Sequence, residues 1–98
     1  MKQAKMATQL TQLSRLQAMA NPARLEIIAL IEDREFTAGD IAHQLEKSQP
    51  LTAYHLAILV ADGLLRQRQA DRYRYYRLAS VDVNILAATV GRLLGEKG

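Results

Sequence analysis

A mainly α fold with one small β-hairpin, in the order α-α-α-α-β-β-α, is predicted by three observations. Apolar residues recur at helical spacing in four successive stretches before Gly63. The period then changes, because Leu64–Gln69 and Tyr73–Leu78 are short runs rich in Arg, Tyr and Leu, as in paired strands. Helical spacing returns after Ser80. Ninety-eight residues, 49% of them hydrophobic, are enough for a single domain spanning 1–98 with a small core.

Each element has its own punctuation. From about Lys5 to Ala20, Met6, Leu10, Leu13, Leu16 or Gln17, and Ala20 fall at helical spacing. Asn21-Pro22 ends that helix and starts the next, with Asn21 as cap and Pro22 where a missing N–H costs nothing. The second helix runs to about Asp33. Leu25, Ile27, Ile28, Leu30 and Ile31 make it apolar on more than one face, as expected of the central core helix. Thr37 caps a short third helix, with Asp40 at the reciprocal position of a capping box and Ile41, Ala42 and Leu45 as its inner face. Ser48 caps a fourth helix that ends near Asp62, before Gly63 as the left-handed residue. Leu56, Leu59 and Val60 face inward. Ala70-Asp71-Arg72 joins the two strands, and Tyr76 is the candidate for the hairpin's buried residue. Ser80 caps a last helix, about Val81–Leu94.

The two terminal helices carry apolar stripes that a domain of this size cannot easily bury alone. Met6, Leu10 and Leu13, with Val83, Leu86, Val90 and Leu93, are therefore assigned to a homodimer interface. Gly91 and Gly95 have the spacing either of close helix approach across that dimer or of a fraying tail.

Composition removes several function classes. Cysteine is absent, which excludes disulfides, thiolate metal sites and a cysteine redox switch. No stretch reaches the roughly 18 apolar residues of a membrane span, and the N-terminus has no secretory pattern. A cytoplasmic location is expected. The only histidines are His43, read as exposed or phosphate-facing, and His55, read as hydrogen-bonded beside the core. No metal and no cofactor is expected. No nucleophile elbow, glycine-rich phosphate loop or carboxylate pair is present, so the chain is not read as an enzyme.

Charge points instead to a polyanion. Between Arg66 and Arg77 stand five arginines and one acid, Asp71, giving +4 within a chain of net charge +3. The third and fourth helices, joined by Glu46-Lys47, form a helix-turn-helix, and the arginine hairpin behind them forms a wing. The partner is then double-stranded DNA, with the helix at about 48–62 in the major groove. Gln49 can pair with adenine, Tyr54 can reach a base or a phosphate, and Ser48 with its neighbouring N–H groups suits a phosphate. Arg72 at the hairpin tip, with Arg68 and Arg74 along the strands, suits the backbone or minor groove. Arg24, in the Asn21–Leu25 turn, reads as an intramolecular contact rather than a phosphate ligand. From a different class, the alternative is a winged-helix protein–protein module whose hairpin meets an acidic partner.

Three runs carry a family resemblance. Leu16–Leu25 (LQAMANPARL) resembles the opening motif of the ArsR/SmtB winged-helix repressors. Ser48–Leu59 (SQPLTAYHLAIL), followed by Asp62–Leu65 (DGLL), resembles their recognition helix, and Tyr75–Leu78 (YYRL) their wing-exit strand. The resemblance implies a homodimeric bacterial transcriptional regulator, usually a repressor, on a pseudo-palindromic operator, with first and last helices forming the dimer interface. It also marks departures. Glu46 stands where the family's turn usually has glycine, so a reshaped or strained turn is expected. Thr52, in the expected DNA-contact set, falls where partial burial is expected, and Ala53, also in that set, lacks a contacting hydroxyl. The family's cysteine sensors are absent, and the last helix has Asp82 and Glu96 but no histidine. Regulation stays open among constitutive binding, a small organic effector and a partner protein.

Overall fold

The computed structural model of the protein describes residues 13–32 and 34–80, with 83, 88, 92 and 95. Met6, Leu10, Leu86, Val90, Leu93 and Gly91 lie outside the described residues. Helix α1 covers 13–19 of the described chain. It is followed by α2 (Pro22–Leu30), β1 (Phe36–Thr37), α3 (Ala38–Gln44), α4 (Gln49–Ala61), β2 (Leu65–Ala70) and β3 (Tyr73–Leu78).

The helix starts form as their cap residues dictate. Oδ1 of Asn21 accepts from the backbone N–H groups of Ala23 and Arg24 at 2.9 and 3.2 Å. Thr37 and Asp40 make the reciprocal capping box at α3. Oγ of Ser48 accepts from the N–H of Leu51 at 3.2 Å. Helix α2 ends at Leu30, shorter than the expected Asp33, with Ile31 as its C-cap.

Both later helices end in the same six-residue motif. At α4, Gly63 has φ +75°, and the N–H of Leu64 donates to the carbonyl of Leu59 at 2.9 Å. At α3, Glu46 takes the equivalent place at φ +54°, and the N–H of Lys47 donates to the carbonyl of Ala42 at 2.9 Å. The helix-turn-helix turn is thus not reshaped by the missing glycine. Glu46 adopts the glycine conformation instead, at a cost of about 1 kcal/mol for an L side chain.

The core is one layer of helix side chains on one face of the sheet. Ile27, Ile28, Ile41, Leu56 and Leu59 are fully buried, and Phe36 and Tyr76 close the core from the sheet side. Val83 joins this core at 5% exposure, and its N–H reaches Oγ of Ser80 at 3.3 Å. This corrects the assignment of Val83 to the dimer interface: its side chain packs within the protomer. By contrast Leu13 and Leu16 stand 55% and 61% exposed on α1.

The sheet has a third strand that sequence did not predict. Its order is β1-β3-β2, all antiparallel, with Phe36 opposite Tyr76 and Thr37 opposite Tyr75. Two residues are too few to display an alternating pattern. The hairpin loop is Asp71-Arg72, with Ala70 paired to Tyr73, and Asp71 takes the positive φ (+55°) that glycine usually supplies there.

Candidate nucleic-acid interface

The hairpin register divides the arginines between two faces. Directly opposed residues in an antiparallel pair share a face. Gln67 opposes the buried Tyr76, and Gln69 opposes Arg74, so these four share the side on which the helices pack. Arg66 opposes Arg77, and Arg68 opposes Tyr75, on the outer side.

The inner side opens into a groove of about 380 Å³ between the hairpin and the starts of α3 and α4. Gln49, Gln69, Arg72 and Arg74 line it. Gly39 at the start of α3 leaves room for this arrangement, because a Cβ there would lie 3.0 Å from Nε2 of Gln49. Nothing local in the sequence calls for glycine at position 39. Its role depends on a side chain ten positions away that only the fold brings near.

The exposed face of α4 carries Gln49, Ala53 and Tyr54, and no charged residue stands anywhere in that helix. Tyr54 is 60% exposed, and its ring meets the His55 ring edge-on at 5.3 Å. Thr52 departs from the expectation. It is fully buried, and its hydroxyl donates to the carbonyl of Ser48 at 2.9 Å. With no exposed surface, the Thr52 side chain offers nothing to a base or phosphate.

Arg68 is already engaged within the protomer. Its Nε and Nη2 donate to the two carboxylate oxygens of Glu35 at 2.6 and 2.9 Å, and its guanidinium lies 4.8 Å from the Tyr75 ring centre. The hydrogen bonds from Arg68 hold the Glu35 carboxyl below the usual carboxylate range, and the nearby Arg77 acts in the same direction. The five arginines therefore do not address one surface. Arg72 and Arg74 line the groove beside α4, while Arg66, Arg68 and Arg77 flank the outer face.

Behind the site, Arg24 makes the intramolecular contact expected of it. Its Nε donates to the carbonyl of Ala18, and Nη1 lies 3.2 Å from Nδ1 of His55. His55 is buried beside the core, as expected, and His43 is exposed. Desolvation, then the charges of Arg24 and Lys47, lower the pKa of His55. Among the described residues no group of three or more His, Asp or Glu could hold a metal ion, and no helix is long and apolar enough to cross a membrane.

Residues 21–67, from the cap of α2 into β2, match the family described as "Bacterial regulatory protein, arsR family". The transcriptional activator HlyU of Vibrio cholerae is 37% identical over 78 residues, covering 80% of this chain and 72% of that protein. The chain belongs to the arsR family. Other relatives of this arsR-family regulator carry different signs of regulation. The transcriptional repressor SdpR of Bacillus subtilis is 33% identical over 61 residues, covering 62% of this chain and 68% of that protein. In structure, reduced HlyU superposes with a TM-score of 0.82 at 32% identity, covering 96% of this chain and 99% of that chain. The homodimeric winged helix-turn-helix DNA-binding domain from Mycobacterium bovis, solved by NMR, also gives 0.82, at 29% identity, covering 94% and 85%. The arsR-family regulator is thus a winged helix in sequence and in fold, with α3–α4 as the helix-turn-helix and β2–β3 as the wing.

Proposed function

We propose that this arsR-family regulator binds duplex DNA as a homodimer, with the start of α4 in the major groove and the wing tip on the neighbouring backbone. One observation carries the reading: the exposed start of α4 and two wing arginines line a single open groove. Ser48 and Gln49 stand at the positive end of α4, where backbone N–H groups attract a phosphate or a base edge. Gln49, Ala53 and Tyr54 are the base-reading set, and Arg72 and Arg74 supply sequence-independent affinity. The exposed apolar stripe of α1 is the surface offered to the second copy, and the Mycobacterium bovis relative is itself homodimeric. A dimer that covers an operator excludes other proteins from it, so repression is the expected sign.

The test is duplex binding as a function of salt. Replacing Arg72 and Arg74 by alanine should weaken binding to every duplex and flatten the slope of log K against log salt by about 0.9 per lost contact. An unchanged slope would remove the wing assignment. No binding of any duplex at low salt would favour a protein–protein module instead.

A further inference from the structure

We infer that Glu35 is a positioning residue that locks Arg68 away from DNA, so that neutralising Glu35 releases one more cation to the nucleic-acid backbone. This rests on the DNA-binding reading above and adds to it a control on the wing's charge.

The lock is visible as competition for one set of donors. A guanidinium grips a phosphate in bidentate fashion through the same fork that grips a carboxylate. In Arg68 that fork, Nε and Nη2, already holds both oxygens of Glu35. Tyr75 covers the guanidinium from the strand side. A phosphate therefore cannot take this fork without displacing Glu35, and only the Nη1 side of the guanidinium stays open to it. Arg72 and Arg74 face no such competitor, since neither forms an ion pair among the described residues. Topology places the lock. Glu35 immediately precedes β1, which pairs with β3, so its side chain reaches past Tyr75 to β2 on the outer face.

Arg68 is nonetheless close to the wing tip, on the outer face of the hairpin. It stands two residues before Ala70, the last residue of β2, about 7 Å away at the usual strand rise. The pair is exposed to water, at 55% for the Arg68 side chain and 31% for Glu35, so it yields to competition rather than being sealed in. Arg68 is then a reserve contact, released when the Glu35 carboxylate is neutralised or drawn elsewhere.

Salt-dependent binding of a 20-bp duplex tests this with four variants, and with Arg74→Ala as the groove-side reference. Glu32→Gln removes the same formal charge from an exposed site and serves as the control. Arg68→Ala in the wild-type background should change affinity less than about twofold and leave the salt slope unaltered. Glu35→Gln should tighten binding more than Glu32→Gln and steepen the slope by about 0.9. Combining Glu35→Gln with Arg68→Ala should return the slope to the wild-type value. Two results overturn the lock: Glu35→Gln behaving like Glu32→Gln, or Arg68→Ala alone flattening the slope as Arg74→Ala does. If the wild type binds no duplex, the DNA reading fails, and heparin chromatography still decides the lock. Glu35→Gln must then elute at higher salt than Glu32→Gln, or the lock is refuted.

Discussion

Nη1 of Arg24 on α2 lies 3.2 Å from Nδ1 of His55 on α4. A guanidinium has no acceptor, so Nδ1 must accept and the imidazole is neutral with its proton on Nε2. Protonating His55 would set two cations against each other beside the recognition helix. Its pKa is lowered from 6.5, by desolvation first and then by Arg24 and Lys47. The unfolded chain therefore binds this proton more readily than the folded one. The stabilisation is complete above about pH 6.5 and is lost as pH falls toward the depressed folded value. Thermal melts between about pH 7 and pH 5 should show a smaller drop for His55→Gln, which accepts from Arg24 without titrating. An equal drop in both proteins would refute the assignment.

Glu46 holds a glycine conformation in the turn between α3 and α4. Glu46→Gly should relieve the strain of a side chain at positive φ, offset in part by the greater entropy of glycine in the unfolded chain. We expect a gain of no more than about 0.5 kcal/mol in chemical denaturation, without change in DNA affinity. A loss of stability would show that the Glu46 side chain contributes something the strain argument omits.

Thr52 separates structure from recognition. Thr52→Val keeps the buried shape and deletes the hydroxyl that donates to Ser48. The Ser48 carbonyl still accepts from the N–H of Thr52 at 3.0 Å, so the cost should be only about 1 kcal/mol. Sequence preference in DNA selection should be unchanged. An altered operator would return Thr52 to the contact set.

Gln49 should behave in the opposite way. Gln49→Ala removes a bidentate reader at the start of α4 and should relax preference at one base pair by about 1–3 kcal/mol. Stability should hold, because the side chain is exposed. Selection from random duplexes compares the two proteins, and an identical motif from both would remove Gln49 from base reading.

Leu16 tests the partner surface. Leu16→Glu places a charge on the exposed stripe of α1 and should shift the protein toward monomer in sedimentation, with weaker operator binding in proportion. A variant that remained fully dimeric would place the interface elsewhere.

The sequence by itself determined the helices, their caps and the hairpin, because these depend on neighbours within a few positions. Asn21, Thr37 and Ser48 cap because their side chains reach N–H groups two or three residues on. The alternation that exposes Arg77 and buries Tyr76 is likewise local. Tertiary structure decided what lies at a distance in sequence. It added β1, whose two residues carry no periodic signal. It buried Thr52 and drew Val83 into the core, since helical spacing marks an apolar face without saying what covers it. It also divided the arginines between two faces, through strand register and through Glu35 reaching Arg68 across 33 positions. Formal charge is additive along a chain, but the field it makes depends on which cations share a surface and which already hold an anion.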